Sequence, residues 1–325
     1  MLNNSLYSIE KNEGSGARSL CEKTAPLECA TSSNLNRRKL NLLRHSGFFG
    51  FDLKGCVIER AYGAADLRAA YQLVHNVFVG TGYIEPEAGC IRLRIFEASP
   101  DTATFVAKKN GEVVGVLSVV MDSVELGLPS DTAFGAELDE LRATGLRICE
   151  VTNQAVVKEY RRSSVLTELM RCAIAYMVKA DCGQALATVS PNHQKFYKMV
   201  GFKSFGTLRS YSKKLHDPVV AVSLPVDLYR SEIPAPDIDP YIHHMGSTGN
   251  PFMDRAEEWT VIAKESFLCV ELLDKLLNTG RNFLSECSPA EHTYLQCRWG
   301  GPLFERVFKL GNHEKLVASH LISSI

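Results

Sequence analysis

The sequence has no CxxC pair, no apolar run long enough for a spanning helix, no charge excess of either sign and no internal repeat. Each absence removes a class of function. The ten cysteines show no zinc-type spacing. Most of them, such as Cys149 and Cys172, lie inside apolar runs, as expected of reduced, buried thiols in a cytoplasmic protein. No apolar stretch approaches the ~18 residues of a bilayer span. The opening residues, MLNNSLYSIEKNEGSG, lack the basic-then-apolar order of a secretory signal. A formal net charge of −1 leaves no clustered positive field for a nucleic-acid backbone, and no metal or tightly bound cofactor is expected.

What is present is an ordinary globular composition, 45% hydrophobic and 22% charged over 325 residues, enough for about two domains. Residues 1–50 are Ser-, Asn- and Lys/Arg-rich and read as a disordered or loosely docked arm. Residues 51–230 read as one α+β domain on a mixed sheet. Strands are expected over 51–60, 102–108, 112–121, 148–157, 185–189, 202–211 and 219–225. Asn110-Gly111 supplies the strongest hairpin signal. Helices are expected over 65–79, 136–144, 163–182 and 191–200. Residues 231–255, with Pro234, Pro236, Pro240 and Pro251, read as a linker. Residues 256–325 read as a small helical appendage, its first helix over 256–284. Within it Ser288-Pro289-Ala290-Glu291 is a complete helix-start signal.

The chemistry concentrates between Ile148 and Phe202. A basic turn, Lys158 to Arg162, joins a strand to a long helix, and a helix N-terminus bearing added positive charge is an anion site. Arg161, Arg162, Ser163 and Ser164 are its candidate ligands, and Ser163 or Ser164 the expected helix cap. Glu150 sits inside the apolar run ICEV. Burial there would raise its pKa and suit it to general base work. Simple alternation would put Ile148, Glu150, Thr152 and Gln154 on one face of the strand and Cys149, Val151, Asn153 and Ala155 on the other. Tyr197 lies one turn before Gly201-Phe202 and is a candidate proton donor. Asn192 and His193 follow the next strand, where a binding crevice would open.

In this order of elements, and in the Tyr before Gly-Phe, the chain resembles the GNAT acyltransferases. Tyr71-Gln-Leu-Val-His-Asn-Val-Phe78, the DTATFVAKKNGEVVG hairpin followed by Asp122, LPSD, and AELDELRATGLRICEVTNQAVV are similar to the long-chain N-acyl amino acid synthases. That GNAT-fold group is akin to the acyl-homoserine-lactone synthases. The resemblance covers roughly residues 55–230. It implies transfer of a fatty acyl group from acyl carrier protein to the amine of an amino acid by thioester aminolysis. Glu150 would be the base, directly or through a water. Backbone N–H groups of Ala155, Val156 and Val157 would hold the oxyanion and the pantetheine arm, and Tyr197 would protonate the thiol. Tyr71, Val74 and Phe78 would line the acyl tunnel, with Asp122 and Asn153 near the acceptor. Asn153 stands where lactone synthases have Arg, which argues against their substrate.

The usual CoA-binding turn of the family is glycine-rich. Here it reads Arg-Arg-Ser-Ser, which suits the single phosphate of a carrier's phosphopantetheine arm better than CoA pyrophosphate. The implied partners are therefore acyl carrier protein and an amino acid, with peripheral membrane contact through a lipid product. Two other readings fit the residues: an acetyl-CoA-dependent acetyltransferase, and a non-catalytic acyl-ligand sensor.

Overall fold

The computed structural model describes residues 52–211, 218–230, 240–246, 249–262 and 287–308, together with Asn41 and Leu284. The N-terminal arm, most of the expected 256–284 helix and the end of the chain lie outside the described residues. The core is one mixed seven-stranded sheet. Its strands are β1 (Val57–Arg60), β2 (Thr102–Lys109), β3 (Glu112–Met121), β4 (Ile148–Val156), β5 (Gln184–Val189), β6 (Lys203–Ser204) and β7 (Val220–Pro225), in the order β1-β2-β3-β4-β5-β7-β6. Among these neighbours β4 and β5 pair in parallel; every other pair is antiparallel.

The expected strand over 202–211 is far shorter. It forms only the two residues of β6, and Arg209 makes an isolated bridge to Val219. Gly206 separates the two; a Cβ there would lie 2.5 Å from the Phe134 ring, so the chain bends against that side chain.

Helices cover both faces. On one, α1 (Ala64–Gly80) buries Leu67, Ala70, Tyr71 and Val74 against β2, β3 and β4. The short α2 (Ile95–Ala98) and α3 (Asp131–Arg142) lie on this side too. On the other face α4 (Val165–Lys179) buries an apolar stripe that includes Val165, Leu169, Cys172 and Ala173. This is the 3.6-residue period doing what it predicts. The helix over 191–200 forms as a 3-10 turn, Pro191–His193, followed by α5 (Gln194–Met199).

The C-terminal elements pack into the same two cores. After α6 (Pro240–Met245), α7 (Met253–Ile262) puts Trp259 beside Phe105, with ring centroids 5.2 Å apart, and Arg60 donates to the Trp259 carbonyl. The expected capping box opens α8 (Pro289–Trp299): Glu291 N–H donates to Ser288 Oγ, and Ser288 N–H donates to Glu291. This helix docks on α2 and the turn after it. Trp299 Nε1 donates to Ala98 O at 3.0 Å, and Tyr294 and Ser99 share a hydroxyl bond of 2.6 Å.

Two features shape the sheet beside β4. The first is the close seat of α4. A Cβ on Gly115 of β3 would lie 2.9 Å from Val165 Cγ1 and 3.1 Å from Leu169 Cδ1. The second is a β-bulge. Val116 pairs with Ala155 and Ser118 with Thr152, so Asn153 and Gln154 stand opposite Leu117 alone. Asn153 takes a left-handed φ of 54°, a conformation that Asn tolerates better than most residues. Strict alternation therefore fails along β4. Cys149 and Val156 share the α4-side core, whereas Ala155, expected with Cys149, packs on the α1 side. Asn153 also turns to that side, where it bonds to Glu97. Pairing of β4 with β5 covers only Ile148–Glu150 against Gln184–Leu186, and beyond it the two strands part.

Gly115→Ala should lower the unfolding free energy by about 1–3 kcal/mol through overpacking. Gly135→Ala, in α3 with nothing near the new methyl, should be neutral or stabilising by up to about 1 kcal/mol. Urea denaturation of the two variants measures the difference.

Candidate active site

Where β4 and β5 separate there is a cavity of about 300 Å³, at the lower end of the size range of small-molecule sites. One wall is β4 from Val151 to Val156; another is Thr188, Val189 and Ser190 at the end of β5. Phe78, Phe196 and Tyr197 give it an apolar lining, and Arg161 and Leu166 close the end at the basic turn. Arg92, Arg94 and Tyr211 stand along the remaining side.

Glu150 is wholly buried but does not reach the cavity wall. Its Oε2 accepts from Ser130 N (2.8 Å) and Ser130 Oγ (2.7 Å), and its Oε1 accepts from Thr188 Oγ1 at 3.2 Å. Thr188 does line the cavity. Burial raises the Glu150 carboxyl above the ordinary carboxylate value, although the Ser130 bonds oppose the shift. The cradle is the Leu128-Pro129-Ser130-Asp131 loop. Arg142 braces that loop by pairing with Asp131 (2.7 Å) and Asp122 (2.9 Å). Asp122 thus supports the loop that holds Glu150 and is not at the cavity.

Tyr197 lies on the wall, and its hydroxyl donates to Gln154 Oε1 at 3.0 Å. Burial pushes its pKa up, so the phenol stays protonated. His193 is also on the wall, and burial lowers its pKa, which favours the neutral ring. Asn192 is exposed and off the wall. Of the expected tunnel residues only Phe78 lines the cavity. Tyr71 and Val74 are sealed in the core behind it, at 1% and 0% exposure.

The turn is built differently from expectation. Ser163 and Ser164 are buried. Ser163 Oγ donates to Tyr160 O, and Ser164 N–H donates to Asp52 O. Ser164 occupies the cap position of α4 without a side-chain capping bond. Both hydroxyls lie inside the turn, too far in to meet a ligand's phosphate. Arg161 remains on the wall, its Nε donating to Val156 O at 3.0 Å. Arg162 is exposed beside it. Among the three backbone donors expected for an oxyanion, Val157 N–H is already bonded to Val114 O. The register makes Ala155 a hydrogen-bonded partner of Val116 and turns Val156 N–H away from β3, toward the gap.

Sequence reasoning missed a buried polar knot on the α1 side. Glu97 has no exposed surface. It accepts from Arg94 N (2.7 Å), from Arg94 Nε and Nη2, and from Asn153 Nδ2 (2.9 Å). Burial alone would raise the Glu97 carboxyl, but the Arg94 guanidinium outweighs it and holds the group below the ordinary carboxylate range. Hydroxyls extend the chain inward: Asn153 to Ser118, Ser118 to Thr104 (3.0 Å), Thr104 to Tyr71 (3.1 Å). The signal was legible as Ile91-Arg92-Leu93-Arg94-Ile95. Its apolar residues alternate into the core, and its arginines alternate out toward the cavity.

The family model of the N-acyl amino acid synthase FeeM matches residues 69–225. That span, a little under half of the chain, is similar to the GNAT-fold N-acyl synthases. Among solved structures the chain is similar to FeeM from uncultured soil microbes, with 22% identity over 53% of this chain and 90% of that one and a TM-score of 0.47. It is also similar to the CoA-dependent acyl-homoserine lactone synthase BjaI, with 14% identity over 64% and 100% of the two chains and a TM-score of 0.42. For the AHL synthase LasI the values are 16%, 53%, 91% and 0.41. Comparison with curated protein sequences finds no match. Among the described residues no group of side chains is arranged to hold a metal ion, and no helix is long and apolar enough to cross a membrane.

Glu97→Ala should leave Arg94 and Asn153 without their shared acceptor and cost about 2–3 kcal/mol of stability. A lowered urea midpoint with an unchanged slope is the expected result.

Proposed function

We propose that the enzyme transfers a long-chain acyl group from acyl carrier protein to the amine of an amino acid. The observation that carries this reading is the cavity in the β4–β5 gap. It has a basic turn at one end, apolar walls, and a buried carboxylate one hydroxyl behind the wall. The acyl-phosphopantetheine arm enters past Arg161 and Leu166 and lays its thioester beside β4. Arg162, exposed next to the entrance, meets the acidic carrier. The turn offers positive charge with no glycine to admit a pyrophosphate closely, which supports a carrier-borne donor over CoA.

In the reaction the neutral amine attacks the thioester carbonyl. An α-amino group with a pKa of about 7.7–8.0 supplies enough of that form near pH 7. Val156 N–H is the donor placed to stabilise the oxyanion. As the C–N bond forms, the amine proton passes to Thr188 Oγ1 while the Thr188 proton passes to Glu150. The C–S bond then breaks. The thiolate takes a proton from Tyr197, which solvent replenishes, and Glu150 returns its own proton to solvent. Glu150 works here through Thr188, since it does not touch the cavity. Its raised pKa brings it closer to the amine it serves.

Mass spectrometry of the purified enzyme incubated with hexadecanoyl-carrier protein and the twenty amino acids should detect an N-acyl amino acid. No acyl transfer to any amine would overturn the reading. Glu150→Gln should lower kcat by about 10²–10⁴-fold. In the wild type kcat should fall with acid through a pKa above the ordinary carboxylate value, because the base must be ionised; Glu150→Gln should lack that limb. Arg162→Glu should raise KM for the acyl carrier about tenfold at low salt, and less at high salt. A wild-type preference for hexadecanoyl-CoA over the carrier would remove the donor assignment.

A further inference from the structure

Two polar atoms on the α1 side of the cavity have no partner. Arg92 Nε is buried and makes no hydrogen bond, and Asn153 Oδ1 is buried and accepts none. Both residues line the cavity. A buried donor or acceptor left unpaired is costly, so native structures rarely keep one without a use. Here there are two, of opposite kind, on one wall.

Each is left open by the knot beside it. Glu97 already has Arg94 and Asn153 as donors, so it is not available to Arg92. Arg92 stacks over Phe78, its guanidinium carbon 5.2 Å from the ring centroid, and its backbone N–H is fixed to Tyr71 O. That pose is rigid, cationic and turned to the cavity. Burial and the neighbouring Arg94 pull its pKa down to about 10, which still leaves it charged at neutral pH. Asn153 is fixed from the other direction. The ionised Glu97 can only accept, so it must face the Asn153 amide nitrogen, and the carbonyl oxygen must point away. The bulge and its left-handed φ hold the residue in that orientation.

An unpaired guanidinium N–H wants an acceptor, and an unpaired carbonyl wants an N–H. We propose that Arg92 and Asn153 form a two-point site for the acyl acceptor. Arg92 takes a free carboxylate, and Asn153 Oδ1 accepts from the amine that is acylated. This deepens the N-acyl transfer reading above and rests on it. It adds a requirement: the acceptor must carry its carboxylate unmasked. Amides, esters, lactones and decarboxylated amines would lose the Arg92 contact. Asn153 aligns the nitrogen beside the thioester, and Arg92 sets the affinity and the specificity.

The test compares kcat/KM for each accepted amino acid with that for its carboxamide, using hexadecanoyl-carrier protein. The wild type should favour the acid by about 10–100-fold, the worth of one charge-assisted contact. Arg92→Gln should bring that ratio close to one, mainly by raising KM for the acid. Arg92→Lys keeps the charge without the planar fork and should retain part of the preference. The ratio is taken within each variant, so a loss of folded protein does not imitate the result, and far-ultraviolet circular dichroism checks the fold. If the wild type acylates acid and amide equally, or Arg92→Gln keeps the preference, this site is overturned and N-acyl transfer stands. If no amine is acylated, both fall.

Discussion

Glu97 joins the parts of this molecule that matter for chemistry. It is a carboxylate without exposed surface, and its donors come from two separate segments: Arg94 on the strip after α1, and Asn153 in the middle of β4. An ionised carboxylate at that depth is tolerable only with such a complete set of partners. Its demand for donors accounts for the rest. Asn153 must turn toward it, and that turn is the β4 bulge. The bulge reverses the facing of the strand just past Glu150, where β4 has ceased to pair with β5. The gap between the two strands there is the cavity. Because the carboxylate holds Arg94 and the Asn153 amide, it leaves Arg92 and the Asn153 carbonyl unpaired toward that space.

Much of the architecture was legible in the sequence because periodicity and turn chemistry are local. The β2–β3 hairpin at Asn110-Gly111, the α4 stripe and the capping box at Ser288 formed as read. Glu150 stood out because a lone carboxylate in ICEV is hard to place otherwise, and its burial and raised pKa follow from that setting. What failed depended on pairing between distant segments. Whether β4 carries an extra residue is decided by what faces it, and Leu117 and Glu97 lie far away in sequence. Period-two reasoning alone placed Asn153 on the wrong face. Tyr71 and Val74 fit an apolar tunnel as well as an apolar core in one dimension; only the seat of α1 on the sheet separates the two. Ser163 and Ser164 resemble phosphate ligands by type, but both are buried, and Ser163 spends its hydroxyl on the Tyr160 carbonyl of its own turn.

In the proposed reaction the base is one hydroxyl removed from the site where it acts. Thr188 stands between Glu150 and the cavity, and Ser130 holds the far oxygen. A carboxylate in direct contact with ligand would be partly hydrated whenever the site was open, and its pKa would follow the occupancy of the cavity. Behind Thr188 the group keeps one environment throughout the cycle. The Arg142 brace with Asp122 and Asp131 then has a purpose: it steadies the Ser130 loop and thereby the proton affinity of Glu150.

The four residues of α2 face two ways. Glu97 looks into the polar knot, while the carbonyl of Ala98 and the hydroxyl of Ser99 are gripped by Trp299 and Tyr294 of α8. An element this short has almost no rigidity of its own. Its position is set like that of a tent peg, by the lines pulling on it from both sides. The catalytic half of the chain is thus moored from about two hundred residues downstream. A protein trimmed to the span it shares with its relatives would retain every residue of the cavity and lose the tension that keeps Arg94 and Arg92 in place.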